Sequence, residues 1–156
     1  MNIKKEELII SILIPLAVGS ISALLTRNSM MTFADLNKPP LSPPGWLFPV
    51  VWFILYVLMG IASYLIYRQG TEKLEVRHAL LVYAVQLLFN FFWSIIFFNL
   101  EWYLFAFLWL VALWLLILIT IFRFAKLSAP AAYLMIPYLL WVTFAGYLNF
   151  GIYLLN

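Results

Sequence analysis

Amide and aromatic side chains recur on one face of the third long apolar segment of this 156-residue chain. Gln86, Asn90, Trp93 and Phe97 follow one another at steps of four, three and four residues, which places them on a single side of a helix. Amides inside hydrocarbon need hydrogen-bond partners, so Gln86 and Asn90 must face protein, a pocket or a ligand. This face offers flat apolar area together with a few polar edges.

The second and fifth apolar segments carry stripes with the same helical spacing. The stripes are Trp52, Tyr56, Met59 or Gly60 and Ser63, and then Pro137, Trp141, Ala145 and Leu148 or Asn149. Three helices with such faces predict a cavity for a flat, apolar molecule that has a few polar edges. Spacing alone leaves ordinary membrane packing open, with amides bonding between helices and tryptophans anchored at the interface. Trp46, Trp102 and Trp109 fit the interface better than a cavity.

The side chains that usually carry catalysis are missing from these segments. The single histidine, His78, lies beside Arg77 at a segment boundary and is interpreted as a solvated residue at a helix end. Serines and threonines have no histidine or carboxylate in the same layer, which excludes a hydrolytic triad. The chain has no cysteine, so it has no thiolate nucleophile, disulfide or cysteine-based metal site. We therefore expect no acid–base catalysis, no metal and no cofactor.

The composition is that of an integral membrane protein with one domain. Hydrophobic residues make up 67% and charged residues 10%, where a soluble domain has about 25% charged residues. A transmembrane helix needs about 20 mainly apolar residues, and the charged residues mark the limits of five such spans. The sequence predicts an all-α bundle with spans at about 8–26, 46–67, 79–100, 102–122 and 129–153.

A connection over residues 28–45 joins the first two spans and is rich in proline. Proline fixes φ and lacks a backbone donor, so the segment before Trp46 is predicted to be irregular, as a lid that continues into the wall of the cavity. Seven of the nine basic residues fall on the other side of the bundle, together with the N-terminus. The positive-inside rule then predicts a cytoplasmic N-terminus, with the C-terminus and the proline-rich connection outside.

Several motifs resemble the translocator protein family, also called the tryptophan-rich sensory protein or peripheral-type benzodiazepine receptor family. The motifs are Pro43-Pro44-x-Trp46-x-x-Pro49-x-x-Trp52-x-x-x-Tyr56-x-x-Met59-Gly60, Asn90-x-x-Trp93, and Pro137-Tyr138-x-x-Trp141-x-x-x-Ala145-x-x-Leu148-Asn149-Phe150. The resemblance implies a five-helix bundle, commonly a homodimer, with a pocket under the first connection. It implies binding of protoporphyrin and haem-like tetrapyrroles, sterols and benzodiazepine-type drugs, and a link to breakdown of protoporphyrin in light and oxygen.

The resemblance assigns ligand contacts to Trp52, Asn90 and Trp141, with Ala145 and Leu148 beside them. It also implies that Trp52 and Trp141 are placed to exchange electrons with an excited porphyrin. The complete predicted ligand-binding set is Pro44, Phe48, Trp52, Tyr56, Gln86, Asn90, Trp93, Phe97, Tyr138, Trp141, Ala145 and Leu148. The sterol-recognition pattern of animal members needs a basic residue after a tyrosine near the end of the fifth helix, and this chain has none there. Sterol binding is therefore the least supported part of the comparison.

These observations favour a multi-pass protein of a bacterial plasma membrane that binds tetrapyrroles and promotes photo-oxidative degradation of protoporphyrin. Whether the porphyrin turnover makes the protein an enzyme stays open at this point. One alternative is a sensor that binds porphyrin without turning it over. Another is a passive porphyrin or sterol transporter, since charge-free spans offer no site for a coupling ion. The sequence has no clustered basic face, so nucleic-acid binding is not expected.

Overall fold

The computed structural model describes residues 3–156, which form helices without any strand. The helices are α1 (Lys5–Thr26), α2 (Met30–Ala34), α3 (Leu47–Tyr67), α4 (Leu74–Ser94), α5 (Tyr103–Ala125) and α6 (Ala129–Leu155). A 3-10 turn (Arg27–Ser29) joins α1 to α2, and a π-helical segment (Ile95–Asn99) extends α4. Within this part of the chain five helical stretches are long and apolar enough to cross a membrane, because α1 and α2 together form one of them. The predicted all-α membrane bundle is confirmed.

The helix ends follow from local sequence. Ser128 caps α6 by accepting a hydrogen bond from the Ala131 amide at 3.4 Å, and Pro130 lies in the first turn, where its missing donor costs nothing. Gly70, with φ +110°, takes the left-handed conformation after α3. Glu101, with φ 57°, makes the short turn between the extension of α4 and α5. Glu101 and the charged residues between α3 and α4 thus lie in turns, as the sequence predicts.

The long helices form a closed ring in the order α1, α3, α6, α5, α4, with α4 again next to α1. The interior contains large side chains that are almost inaccessible, among them Met59, Ile66, Leu113 and Met135. The outer faces carry exposed aliphatic and aromatic residues, as expected for surfaces in contact with lipid. The ring encloses a central space, which can hold packed side chains or a cavity.

The largest differences from the predicted spans are found in two places. Met30–Ala34, predicted as part of an irregular connection, is helical, because this connection contains no proline before Pro39 and nothing in the segment opposes a helix. The irregular part is restricted to residues 35–46, which we call the proline segment. Helix α4 begins at Leu74, five residues before the predicted span, since charged residues limit the membrane-embedded part and not the helix.

Candidate functional site

A cavity of about 330 Å³ lies inside the ring at the end nearest α2 and the proline segment. Helices α1, α3, α4 and α6 form its walls, with α2 and the π-helical segment at its outer end, while α5 does not reach it. Every lining side chain among the described residues is uncharged. Eight residues of the predicted ligand-binding set line it: Phe48, Trp52, Tyr56, Trp93, Phe97, Trp141, Ala145 and Leu148.

Aromatic rings from α3 and α6 make up one side of the cavity. Trp52 stacks on Tyr56 with ring centroids 5.5 Å apart, and Phe48 meets Trp141 edge to face at 5.8 Å. Trp52 also contacts Tyr138 edge to face at 6.2 Å. Both indoles are half-buried, so each combines packing against neighbouring rings with a surface on the cavity. Such a wall supplies large, rigid apolar area for a flat ligand.

The Nε1 of Trp141 is buried and has no hydrogen-bond partner among residues 3–156. Burying an unpaired donor costs about 1–3 kcal/mol. Trp141 lines the cavity with other atoms of its ring, so an acceptor on a bound molecule would reach this donor only after the indole turns toward it. The indole therefore combines a stacking surface with an unpaired donor.

The predicted amides Gln86 and Asn90 do not line the cavity but lie in a hydrogen-bonded cluster beneath it. The Tyr56 hydroxyl donates to Asn90 Oδ1 at 3.0 Å, and Asn90 Nδ2 donates to the Tyr138 hydroxyl at 2.8 Å. Tyr138 donates in turn to Gln86 Oε1 at 2.6 Å. All four side chains are buried, and only Tyr56 of the four also contacts the cavity. The cluster thus fixes the floor of the cavity through Tyr56.

A second polar link holds the far wall. Trp93 Nε1 donates to Asn149 Oδ1 at 3.1 Å, and Asn149 Nδ2 donates to the Tyr103 carbonyl at 2.9 Å. The carboxamide of Asn149 joins α4, α5 and α6 in this way, although it also lines the cavity. Trp93 stacks on Phe97 at 5.2 Å, so the beginning of the π-helical segment is held by the same group. These contacts position the wall, and both Oδ1 and Nδ2 of Asn149 already have a hydrogen-bond partner within the protein.

Phe33 of α2 covers the outer end of the cavity. Its ring meets Phe48 at 6.3 Å, Phe97 at 6.0 Å and Phe98 at 5.4 Å, in each case edge to face. Lys38 places its ammonium group 4.9 Å from the centre of the Phe33 ring. The sequence analysis missed Phe33, because it assigned this stretch to an irregular connection and not to a helix.

The proline segment is attached to the end of α6. The Tyr147 hydroxyl donates to the Pro40 carbonyl at 2.7 Å, and Asn156 Nδ2 donates to the Asn37 carbonyl at 2.8 Å. Pro39 packs on Gly151, where a Cβ would lie 2.6 Å from the proline Cγ. Pro44, which belongs to the predicted ligand-binding set, is exposed and lies outside the cavity wall.

Helix α1 contributes more to the cavity than the sequence analysis assigned to it. Its lining residues are Leu16, Gly19, Ser20, Ser22, Ala23 and Thr26. Four of them are small, and a patch of small residues on a membrane helix lets another helix approach closely: Gly19, Ser20, Ser22 and Ala23. Gly19 does meet the Tyr56 ring in this way. The small side chains of Ser20 and Ala23 instead leave open space.

Comparison with known proteins gives one consistent result. Residues 11–155 match the profile of the TspO/MBR family. The chain is 40% identical to the tryptophan-rich protein TspO of Chlorobaculum tepidum, with 100% of this chain and 99% of that protein covered. It has the same identity to the protein of that name in Archaeoglobus fulgidus, over the same shares. It is 36% identical to the translocator protein of Bos taurus, with 88% of this chain and 83% of that protein covered.

Proposed function

The chain belongs to the TspO/MBR family, and we propose that it binds a tetrapyrrole, with protoporphyrin IX as the leading candidate, in the cavity inside the ring. Benzodiazepine-type molecules are a second class of ligand for the same space. One observation carries the proposal: Trp52 of α3 and Trp141 of α6 line a single cavity whose described wall has no charge.

The cavity has the size of a ligand pocket, and its chemistry suits such ligands. Its volume of about 330 Å³ falls in the range of roughly 300–1,000 Å³ that is usual for ligand pockets. Aromatic faces match the flat apolar rings of a tetrapyrrole or a drug-like heterocycle. The unpartnered Nε1 of Trp141 would donate to a carbonyl, carboxylate or ring-nitrogen acceptor once the indole turns toward the cavity.

We further propose that bound protoporphyrin is degraded in light with molecular oxygen as the oxidant. An indole is readily oxidised, so Trp52 or Trp141 can donate an electron to the excited ring, which passes it to oxygen as superoxide. The indole radical cation then regains an electron from the porphyrin, so that the net step is one-electron oxidation of the porphyrin by oxygen. The described cavity wall has no carboxylate, histidine, lysine or arginine that would assist by proton transfer. The contribution of the protein is then to position the ring and to supply oxidisable side chains.

The test is titration of protoporphyrin into the purified protein, followed in light and in darkness by tryptophan fluorescence and porphyrin absorbance. Trp52→Phe with Trp141→Phe should retain saturable binding but slow the loss of absorbance under light. Trp102→Phe, at an exposed position outside the cavity, is the matched control and should behave as the parent. Unchanged decay in the double variant would refute the photochemical role and leave a binding protein. Absence of saturable binding to the parent would refute the whole proposal.

Passive passage of the same ligands is a second candidate. It is favoured by the uncharged wall of the cavity, since a coupled transporter usually places ionisable groups along its path. A flux assay in sealed vesicles distinguishes the two, because a degrading protein consumes porphyrin without delivering it to the lumen. In either case we propose a multi-pass location in a bacterial plasma membrane, with the proline segment outside.

A further inference from the structure

We propose that the cavity opens sideways into the bilayer through a gap between α1 and α3, and that its ligand enters from the hydrocarbon. The inference rests on the proposed function for the class of ligand, an apolar ring system dissolved in lipid, and adds the route that it takes.

The helices touch in the half of the bundle that contains the N-terminus. A Cβ on Gly60 of α3 would lie 2.5 Å from the Cα of Ile12 of α1, so the two backbones are in contact there. Further toward the same end, the Lys4 amide donates to the Tyr64 hydroxyl at 2.9 Å. Gly19, one turn beyond this half, still packs against the Tyr56 ring. Up to this level no passage exists between the helices.

Beyond Gly19 the two helices separate. Phe53 is seven residues from Gly60 and Ala23 is eleven from Ile12, close to two and three turns of about 3.6 residues, so each pair shares one face of its helix. Had the helices stayed in contact, Phe53 and Ala23 would be buried between them. Instead Phe53 is 58% exposed, Ala23 is exposed, and both line the cavity. The faces that meet at Gly60 therefore diverge to form an opening.

The residues that border this opening lie beside exposed aliphatic side chains of the lipid-facing surface. Ser20 of α1 and Pro49 of α3 line the cavity and are also exposed, which defines the two edges of the gap. Next to them, Ile21 and Leu24 on α1 and Ile54 on α3 are each more than half exposed. Exposed aliphatic side chains at this level indicate contact with hydrocarbon. The small side chains of Ser20 and Ala23 keep the gap wide enough for a flat ring.

The aqueous end of the cavity is covered more tightly. Phe33 packs across it against Phe48, Phe97 and Phe98. The proline segment is bonded to α6 through Tyr147 and packed on Gly151. A route from water would have to disrupt these contacts, whereas the lateral gap is already open.

Stopped-flow transfer of protoporphyrin from donor vesicles to the reconstituted protein tests the route. Ala23→Phe should obstruct the gap and slow both association and dissociation by about tenfold or more. Association rate constants among mutants of one site vary over about one to three decades, so an effect of this size is within reach. The equilibrium affinity should change much less, because the barrier is altered more than the end states. Leu24→Phe, at the neighbouring lipid-facing position, should keep the parental rates.

The second part of this experiment tests access from the aqueous side by locking the proline segment onto α6. Since the chain has no cysteine, Asn37→Cys with Asn156→Cys can be joined selectively by a short bifunctional thiol reagent, which holds the segment on α6 where the Asn156 side chain now bonds the Asn37 backbone. Lateral access predicts parental rates in the cross-linked variant. Slow association in the locked variant together with parental rates in Ala23→Phe would overturn the inference and assign access to the aqueous side.

A measurement without ligand separates this inference from the proposed function. A nitroxide attached to Ala23→Cys should collide often with oxygen and rarely with a water-soluble nickel chelate, as should one on Leu24→Cys. A nitroxide on Glu72→Cys, in the exposed turn after α3, should show the reverse. Nickel accessibility at residue 23 like that at residue 72 would refute the lateral opening, whatever the porphyrin titration shows. Failure of the parent to bind porphyrin refutes the proposed function alone.

Discussion

Gly60 of α3 lies directly against the backbone of Ile12 of α1, and a Cβ there would come within 2.8 Å of the Ser11 carbonyl oxygen as well. This contact holds the two helices together over half of their length. It also determines the level at which they separate and so where the cavity can open. A glycine is required here because only hydrogen fits between the two backbones.

Gly60→Ala should destabilise the protein, because backbone atoms cannot rotate away as a flexible side chain can. Overpacking of this kind costs about 1–3 kcal/mol. Gly146→Ala is the matched control on α6, since a Cβ there meets its nearest neighbour, Leu110 Cδ2, at an ordinary 3.6 Å. Thermal unfolding in detergent measures both. Equal melting temperatures for the two variants would contradict the close contact between α1 and α3.

Tyr138→Phe should also lower stability, because it leaves Asn90 Nδ2 and Gln86 Oε1 unpaired in the interior. Each unsatisfied buried group costs about 1–3 kcal/mol. Tyr133→Phe, at a position of the same helix that is 68% exposed, is the control and should unfold as the parent does. If the two variants unfold at the same temperature, the hydrogen-bonded cluster does not hold the floor.

The helices and the aromatic wall that α3, α4 and α6 contribute to the cavity could be predicted from the sequence because they depend on local pattern. Charged residues limit the spans, and a step of three or four residues is enough to place Trp52, Tyr56 and Trp141 on inward faces. The same rule put Gln86 and Asn90 inside the protein. Spacing indicates which way a side chain points from its helix but not how far along the bundle it lies. It therefore could not distinguish residues of the cavity wall from those of the hydrogen-bonded cluster beneath it.

Other features depend on contacts between distant parts of the chain. Phe33 covers the cavity through a five-residue helix that follows α1 after a 3-10 turn, and no periodicity can be seen in so short a segment. The gap between α1 and α3 depends on Gly60 meeting Ile12, 48 positions apart in the sequence. A run of small residues fits close helix packing and open space equally well, and only the fold decides between them.

Tyr147→Phe should loosen the proline segment without unfolding the bundle. It removes the bond to the Pro40 carbonyl, which is exposed and contributes about 0.5–1.5 kcal/mol at most. Hydrogen exchange of residues 36–46 should become faster while exchange in α3 and α4 is unchanged. Tyr153→Phe is the control, since Tyr153 is similarly exposed on α6. Equal exchange in both variants would mean that the Asn156–Asn37 bonds and the packing of Pro39 on Gly151 hold the segment without Tyr147.

The orientation in the membrane can be read from two single cysteines. Gly45→Cys lies in the proline segment, where a side chain meets nothing within 4 Å, and Thr71→Cys lies in the exposed turn after α3. The positive-inside rule predicts that a membrane-impermeant maleimide labels residue 45 in intact cells and residue 71 only after lysis. Labelling in the opposite order would place the N-terminus outside.

Trp141→Phe should weaken ligand binding more for molecules with a hydrogen-bond acceptor than for those without one. The substitution keeps an aromatic ring on the wall but removes the Nε1 donor that has no partner within residues 3–156. A neutral hydrogen bond contributes about 0.5–1.5 kcal/mol, or roughly two- to twelvefold in the dissociation constant. Titrating an acceptor-bearing ring and its acceptor-free analogue into both proteins isolates this contribution. The ratio of their affinities should fall in Trp141→Phe and stay constant in Trp102→Phe. A constant ratio in both would show that the indole acts through its apolar face alone.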